Sequence, residues 1–415
     1  MHRHFIELTR FMVMLSETLE LASPTISAHQ LRTAYIARRV AGRLGLPRAR
    51  ARDLVYASLI HDIGALAPGE KAALRSPDKE LVERHCRKGR ILLSRAPVFE
   101  RLGVLVGHHH DPWDSRAELE SAEAFDANVI HLADRVEFAI DRGSFILCQH
   151  RAVREGIAAA AGTSYATEIV DAFLEVSAAE EFWLDLASPR LPLDFAAESG
   201  LGEYHCTIAE FAPISALVRD LVDFRSPYTA THSSGVAEAA AMIGSMFGFS
   251  EYGRRALHIA GNLHDIGKMS VPDAILLKPG KLEASEQALM LQHPYYTGTV
   301  LAGAGVPAEI VEWASWHHER LDGTGYPGRV TSHAISLGSR ILSVMDILAA
   351  LTEERPYRKA MQDETIRRVL DDGVRAGMLE PSVVGLVQDR YPSVTGAMRA
   401  AQGAAAEFYR ADLAG

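Results

Sequence analysis

One histidine–aspartate framework occurs twice in this chain, and it constrains the fold more than any other feature. His61-Asp62-Ile63-Gly64 recurs as His264-Asp265-Ile266-Gly267, and a histidine stands 32 residues before each, His29 and His232. Further on, His85 precedes the pair His109-His110 by 24 residues, and His293 precedes His317-His318 by the same 24. Asp134 and Asp346 close the two series. Two spacings kept without a gap, both between residue types that bind metals, point to a duplicated unit. Each copy must bring distant imidazoles and carboxylates together.

The rest of the pattern is helical. Runs such as Leu31 to Leu44, Val236 to Phe247 and Ile335 to Leu351 are rich in Ala and Leu with polar residues on one side, which predicts amphipathic helices. Alternating strand signals are nearly absent, so the fold class expected is all-α: two tandem helical bundles. Pro189, Pro192, Gly200 and Gly202 break the period and place the junction. The expected domains are residues 1–190 and 205–415, with 191–204 as linker. A helix is expected from about Ile208 to Phe224. The apolar residues Phe5, Ile6, Leu8, Phe11, Met12, Leu15 and Leu19 recur at helical spacing, which reads as an amphipathic helix that packs on its own domain or on a dimer partner rather than on a membrane.

Composition narrows the function. A net charge of −10 argues against DNA or an anionic membrane as a general partner. Three cysteines, Cys86, Cys148 and Cys206, show no CxxC spacing; they read as small buried apolar residues in a reducing, cytoplasmic setting. No run of about 18 apolar residues predicts a membrane span, and the charged start of the chain does not read as a signal peptide.

Imidazole and carboxylate together suit a hard-to-borderline divalent ion such as iron, manganese, zinc or nickel. In the second copy, His232, His264, Asp265, His293, His317, His318 and Asp346 are enough for two octahedral ions around a water. Two cations sharing that water would lower its pKa and clamp a phosphoryl oxygen. The adjacent His264 and Asp265, taken as helical, would point about 100° apart, so that the carboxylate can bridge. Lys268 is placed to stabilise phosphoryl charge or a leaving group. Arg320, Arg355, Arg358 and Lys359 are candidate phosphate contacts. The first copy has His29, His61, Asp62, His85, His109, His110 and Asp134, but Ala65 where the second has Lys268. Its loop from His-Asp to the next histidine is shorter, 24 against 29 residues. The longer loop holds Lys278-Pro279-Gly280-Lys281, a turn suited to phosphate.

At these residues the second half resembles an HD-GYP domain, a branch of the HD phosphohydrolase superfamily. The matching stretches are Tyr228 to Ser233, His264 to Lys268, His293-Pro294, His317-His318-Glu319-Arg320-Leu321-Asp322-Gly323-Thr324-Gly325-Tyr326-Pro327, Asp346 and Arg355 to Arg358. The resemblance implies hydrolysis of cyclic di-GMP to the linear dinucleotide pGpG, to GMP, or to both, by a metal-bridged hydroxide. A 3′,3′-cyclic GMP-AMP phosphodiesterase and a non-catalytic cyclic dinucleotide receptor are the alternatives. It implies two metal ions, iron or manganese ahead of zinc, nickel or magnesium, held by the seven residues above. Asp265 and Lys268 carry catalysis, while Gly325, Tyr326 and Pro327, with Arg320, Arg355 and Arg358, contact substrate. Tyr228 stands where members with a third ion have a glutamate, and Ala349 stands where most have a second aspartate associated with substrate contact. The first half resembles a plain HD domain without the GYP extension or the lysine, a regulatory copy with a candidate metal site.

Overall fold

The computed structural model describes residues 5–21, 28–66, 70, 78–115, 121–192, 195, 204–225, 231–353 and 360–413. It divides into two compact units, Glu7–Tyr204 and a second built from His205–Gly415 with the first residues of the chain. Both are helical. The exception to the expected all-helical start is Phe5–Glu7, a strand paired with His205–Thr207. The helix begins only at Leu8 and runs to Glu20. Pairing partners 200 residues apart leave no local signal, which is why the apolar spacing read as helix from Phe5 onward.

In the first unit, helices His29–Arg43, Arg48–Leu59, Lys79–Ser94, Glu100–Gly107 and Ser121–Phe138 surround the conserved-spacing histidines. Asp78 caps one of them by accepting from the N–H groups of Glu80 and Leu81, satisfying donors that a helix start leaves open. Asp126 is fully buried and takes both Arg50 (2.7 Å) and Arg101 (2.6 Å), so its charge is paired rather than stranded.

The second unit repeats this plan with helices Ile208–Asp223, His232–Met246, Glu251–Leu263, His293–Gly303, Ala308–Ser315 and Leu337–Thr352. Thr207 and Glu210 form a capping box at the first of them, which fixes its start. Helices His232–Met246 and Glu251–Leu263 approach closely at Gly261, where a Cβ would lie 2.5 Å from the Ala237 Cα. That approach brings His232, at the start of one helix, near His264, just past the end of the other.

Two expectations need correcting. The His-Asp pairs do not lie within a helix. The preceding helices end at Leu59 and Leu263, and in the second unit the chain turns into a 3₁₀ segment, Ile266–Ser270. The glycine two residues past the aspartate permits this: a Cβ on Gly64 or Gly267 would sit 1.9 Å from the carbonyl oxygen of His85 or His293. Among the cysteines, Cys86 and Cys206 are buried, but Cys148 is exposed; it lies in a short 3₁₀ turn, Ile146–Cys148, rather than on a helix facing the core.

Candidate metal centre and its cavity

Helix ends of the second unit, together with Asp346 inside helix Leu337–Thr352, bring seven side chains together. Three overlapping groups, His232 with His264 and Asp346, His264 with Asp265 and His317, and His293 with His317 and His318, each bring their ligand atoms within 4.8 Å of one another. Asp265 stands between the two ends: Oδ2 is 3.2 Å from His264 Nε2, and Oδ1 is 3.3 Å from His293 Nε2. Asp346 Oδ1 is 2.9 Å from His232 Nε2, and its Oδ2 is 3.6 Å from His318 Nδ1.

The imidazoles are held by their far nitrogens. His264, His293 and His317 each contact, through Nδ1, the carbonyl three residues earlier: Gly261 (2.7 Å), Met290 (2.8 Å) and Ala314 (2.7 Å). A carbonyl can only accept, so each Nδ1 carries the proton and each Nε2 turns a lone pair inward. His293 Nε2 and His317 Nε2 then face each other at 3.3 Å, and buried His264 Nε2 has no hydrogen-bond partner. Converging lone pairs and carboxylates with outer nitrogens anchored are the donor set of a divalent cation site. The residues therefore fit the metal that the sequence pattern implies.

Electrostatics agree. Burial would raise the Asp265 carboxyl, but His264 and Lys268 beside it hold it well below the carboxylate range. Burial acts the same way on Asp346, and the His232 hydrogen bond with nearby His318 outweighs it. Burial pushes His293 down to about 3, against the pull of Asp265, and burial with His318 and His264 holds His317 far below its usual value. Asp265, Asp346, His293 and His317 thus take the protonation states in which carboxylate and imidazole bind metal, whereas at His264 burial is outweighed by Asp265, which raises that imidazole. His232 differs: burial alone would lower it, but Glu353 and Asp346 hold it up at about 10. Positive charge at that point is what the two carboxylates favour.

Lys268 sits in the 3₁₀ turn, where residues three apart share a face. Its Nζ is 2.5 Å from Asp265 Oδ2. Burial works against its charge, and Asp265 more than restores it. A cavity of about 540 Å³ opens over the cluster. Its lining includes His232, Asp265, Lys268, His293, His318 and Asp346 together with part of the segment 275–290.

Tyr326 also lines it, its ring 4.8 Å from that of His318. Gly325 is buried beneath, where a Cβ would meet the backbone of Arg320 and Glu319 at 2.4 and 2.5 Å. Pro327 is exposed, and the Tyr326-Pro327 peptide is cis. Arg320 departs from expectation. It is exposed, does not line the cavity, and turns Nη1 toward Met378 Sδ at 3.3 Å. After His318 the chain bends away, so the second residue on faces outward. Arg355, Arg358, Lys359 and Tyr228 lie outside the described residues.

The first unit gathers its seven candidates in the same way. His29, His61 and Asp62 form one group, and His85, His109 and His110, joined by Cys86, form another. Asp134 Oδ1 lies 3.3 Å from His29 Nε2 and 3.6 Å from His61 Nε2. Nδ1 of His61 and of His109 again faces a carbonyl three residues back. Here, though, Arg135 reaches both Asp134 (3.3 Å) and His110 Nδ1 (3.3 Å); the second unit has Ile347 at that place.

Sequence reasoning passed over the residues that support these ligands. Glu353 meets His232 Nδ1 at 3.0 Å, and Glu137 meets His29 Nδ1 at 2.5 Å. Glu137 is three residues after Asp134, the position of Ala349 in the second copy; Glu353 is one helical turn further. In the second copy Glu353, not position 349, meets the first histidine's outer nitrogen, and Ala349 is buried and does not line the cavity, whose lining includes Ala350 instead. The signal available was a carboxylate at helical spacing after the last aspartate in both copies. Glu319 is the other omission. Almost wholly buried, it accepts from the N–H groups of Gly328 (2.5 Å), Arg329 (3.1 Å) and Val330 (3.1 Å), tying down the glycine-rich loop.

Comparison with known proteins identifies the family. Two family models described as HD domain match, one at residues 216–375 and one at residues 26–139. A 3′3′-cGAMP-specific phosphodiesterase of Vibrio cholerae is 31% identical over 358 residues, covering 81% of this chain and 80% of that protein. A cyclic di-GMP phosphodiesterase of Pseudomonas aeruginosa is 40% identical over 146 residues, covering 35% of each chain. Among solved structures, a cyclic GMP-AMP specific phosphodiesterase from V. cholerae superposes with a TM-score of 0.61 at 21% identity, over 96% of this chain and 98% of that one; at this identity the likeness speaks for the shared helical fold. The chain belongs to the HD superfamily, as an HD-GYP cyclic dinucleotide phosphodiesterase with a second HD domain in front. No helix among the described residues is long and apolar enough to cross a membrane.

Proposed function

We propose that the unit from His205 onward hydrolyses a phosphodiester bond of 3′,3′-cyclic GMP-AMP, using two divalent ions, iron or manganese, held by His232, His264, Asp265, His293, His317, His318 and Asp346. The observation that carries this reading is Asp265, set between two histidine groups and gripped by Lys268 at 2.5 Å on the wall of the cavity. When bound, the ions supply activation of water and neutralisation of phosphoryl oxygen. Asp265 offers one oxygen to each histidine group. Lys268 fixes that carboxylate and keeps donors for phosphoryl charge or the leaving oxygen. Tyr326, stacked beside His318, shapes the wall that a base would meet.

The choice of base follows the relative that aligns with both halves of this chain, which carries the cyclic GMP-AMP name. Cyclic di-GMP is the second reading, favoured by the relative with higher identity over part of the chain. The test is the ratio of kcat/KM for the two compounds, with protein purified without oxygen and supplied with Mn or Fe(II). A ratio above one for cyclic GMP-AMP supports the first reading, and a ratio below one selects the second. Products separated by chromatography distinguish the linear dinucleotide from mononucleotides. The first unit is read as a regulatory copy, because Ala65 replaces the lysine and Arg135 already meets Asp134 and His110. The setting is read as cytoplasmic, with a homodimer as the assembly; the apolar residues Leu8, Phe11, Met12, Leu15 and Leu19 of the first helix are already buried within the chain.

A further inference from the structure

We propose that Lys281 binds the phosphate that is not being cleaved, so that the turn 278–281 selects substrates carrying two phosphodiesters. The inference rests on the reading of this unit as a cyclic dinucleotide phosphodiesterase. Such a substrate places its phosphates on opposite sides of a macrocycle. The ions and Lys268 serve one of them. The other must also enter the cavity and leave bulk water, which is costly for a charge without a partner.

The same cavity is lined by two further lysines, Lys278 and Lys281. They are not equivalent. Lys278 is committed to its own segment: its Nζ is 2.6 Å from Glu286 Oε2 and 3.5 Å from Glu283 Oε1. Lys281 is exposed and makes no ion pair among the described residues, so its charge is available to a ligand. The two carboxylates on Lys278 also stiffen the turn that presents Lys281. The first copy shows the contrast. Aligned on its Pro-Gly, it reads Ala67-Pro68-Gly69-Glu70. The copy without the lysine after His-Asp also has an acid in the place of Lys281. There Glu70 meets Arg84 at 3.1 Å instead.

The test compares Lys281→Gln and Lys281→Arg with the parent enzyme, full-length and loaded with Mn. The substrates are 3′,3′-cyclic GMP-AMP, cyclic di-GMP and bis(p-nitrophenyl) phosphate, which has a single diester. One lost charge-assisted contact corresponds to about a tenfold effect or more. Lys281→Gln should therefore raise KM for the cyclic dinucleotides about tenfold with little change in kcat. It should leave bis(p-nitrophenyl) phosphate turnover unchanged, and Lys281→Arg should keep most of the affinity. Equal losses on all substrates, or no change on any, would overturn the assignment. A parent enzyme that cleaves bis(p-nitrophenyl) phosphate but neither cyclic dinucleotide would overturn the functional reading, and this proposal with it.

Discussion

Glu353 accepts a hydrogen bond from Nδ1 of His232 at 3.0 Å, and the same glutamate takes a second from Gln402 Nε2 at 2.6 Å. The contact fixes the imidazole so that Nε2 faces Asp346. It reproduces, from one helical turn further along, what Glu137 does for His29. Carboxylates behind a metal-binding imidazole typically contribute about tenfold to a hundredfold in metal affinity. Glu353→Ala should lower Mn affinity within that range, read by calorimetric titration, while Ala349→Ser should leave it within about twofold, because position 349 does not touch His232 here. Unchanged affinity in Glu353→Ala would remove the positioning role.

Glu319 holds the loop that carries Tyr326. Removing its buried side chain unties the three loop N–H groups of Gly328, Arg329 and Val330 that it gathers. Glu319→Ala is expected to keep its metal, since no ligand is lost, but to lower kcat/KM at least about tenfold as Tyr326 leaves His318. Metal content by mass spectrometry and steady-state kinetics separate the two effects. Full activity would show that the loop needs no such anchor.

Gly267 marks a place where two backbones touch. Its missing Cβ would fall 1.9 Å from the His293 carbonyl oxygen and 2.7 Å from the Thr297 nitrogen, neither of which is a flexible side-chain end. Gly267→Ala should destabilise the unit by about 3 kcal/mol or more and displace His293. Thermal unfolding should show an earlier transition, with metal lost in parallel.

His258 gives a pH dependence away from the metal ligands. Burial, with Arg219 nearby, pushes its imidazole down to about 4 from the usual 6.5. The unfolded chain therefore binds this proton more readily than the folded one. Both forms are neutral above 6.5, and stability is lost progressively as pH falls from there toward 4. His258→Gln should flatten that part of the stability curve in denaturant titrations at successive pH values. Identical slopes in both proteins would contradict the assignment.

Much of the site was legible because its ligands are rare residue types at repeated spacings. His29, His61 and Asp134 announce themselves only because His232, His264 and Asp346 repeat them. The helices were equally plain: the sequence predicts one from about Ile208 to Phe224, and the observed span is Ile208–Asp223. What escaped was set by packing rather than pattern. The His-Asp pair leaves the helix because Gly267 must pass against His293. Phe5–Glu7 becomes a strand because a partner far along the chain is available. Glu353 and Glu319 look like surface acids in sequence, and only the fold shows which donors they meet.

The account's central claim is that catalysis belongs to the second histidine–aspartate framework and not the first. The most direct measurement is cyclic dinucleotide turnover by two double variants, His264→Ala with Asp265→Ala and His61→Ala with Asp62→Ala, each shown to be folded by circular dichroism. Turnover should vanish in the first and persist within a few fold of the parent in the second. Activity surviving in the first variant, or lost only in the second, would contradict the claim and move the active site to the other unit.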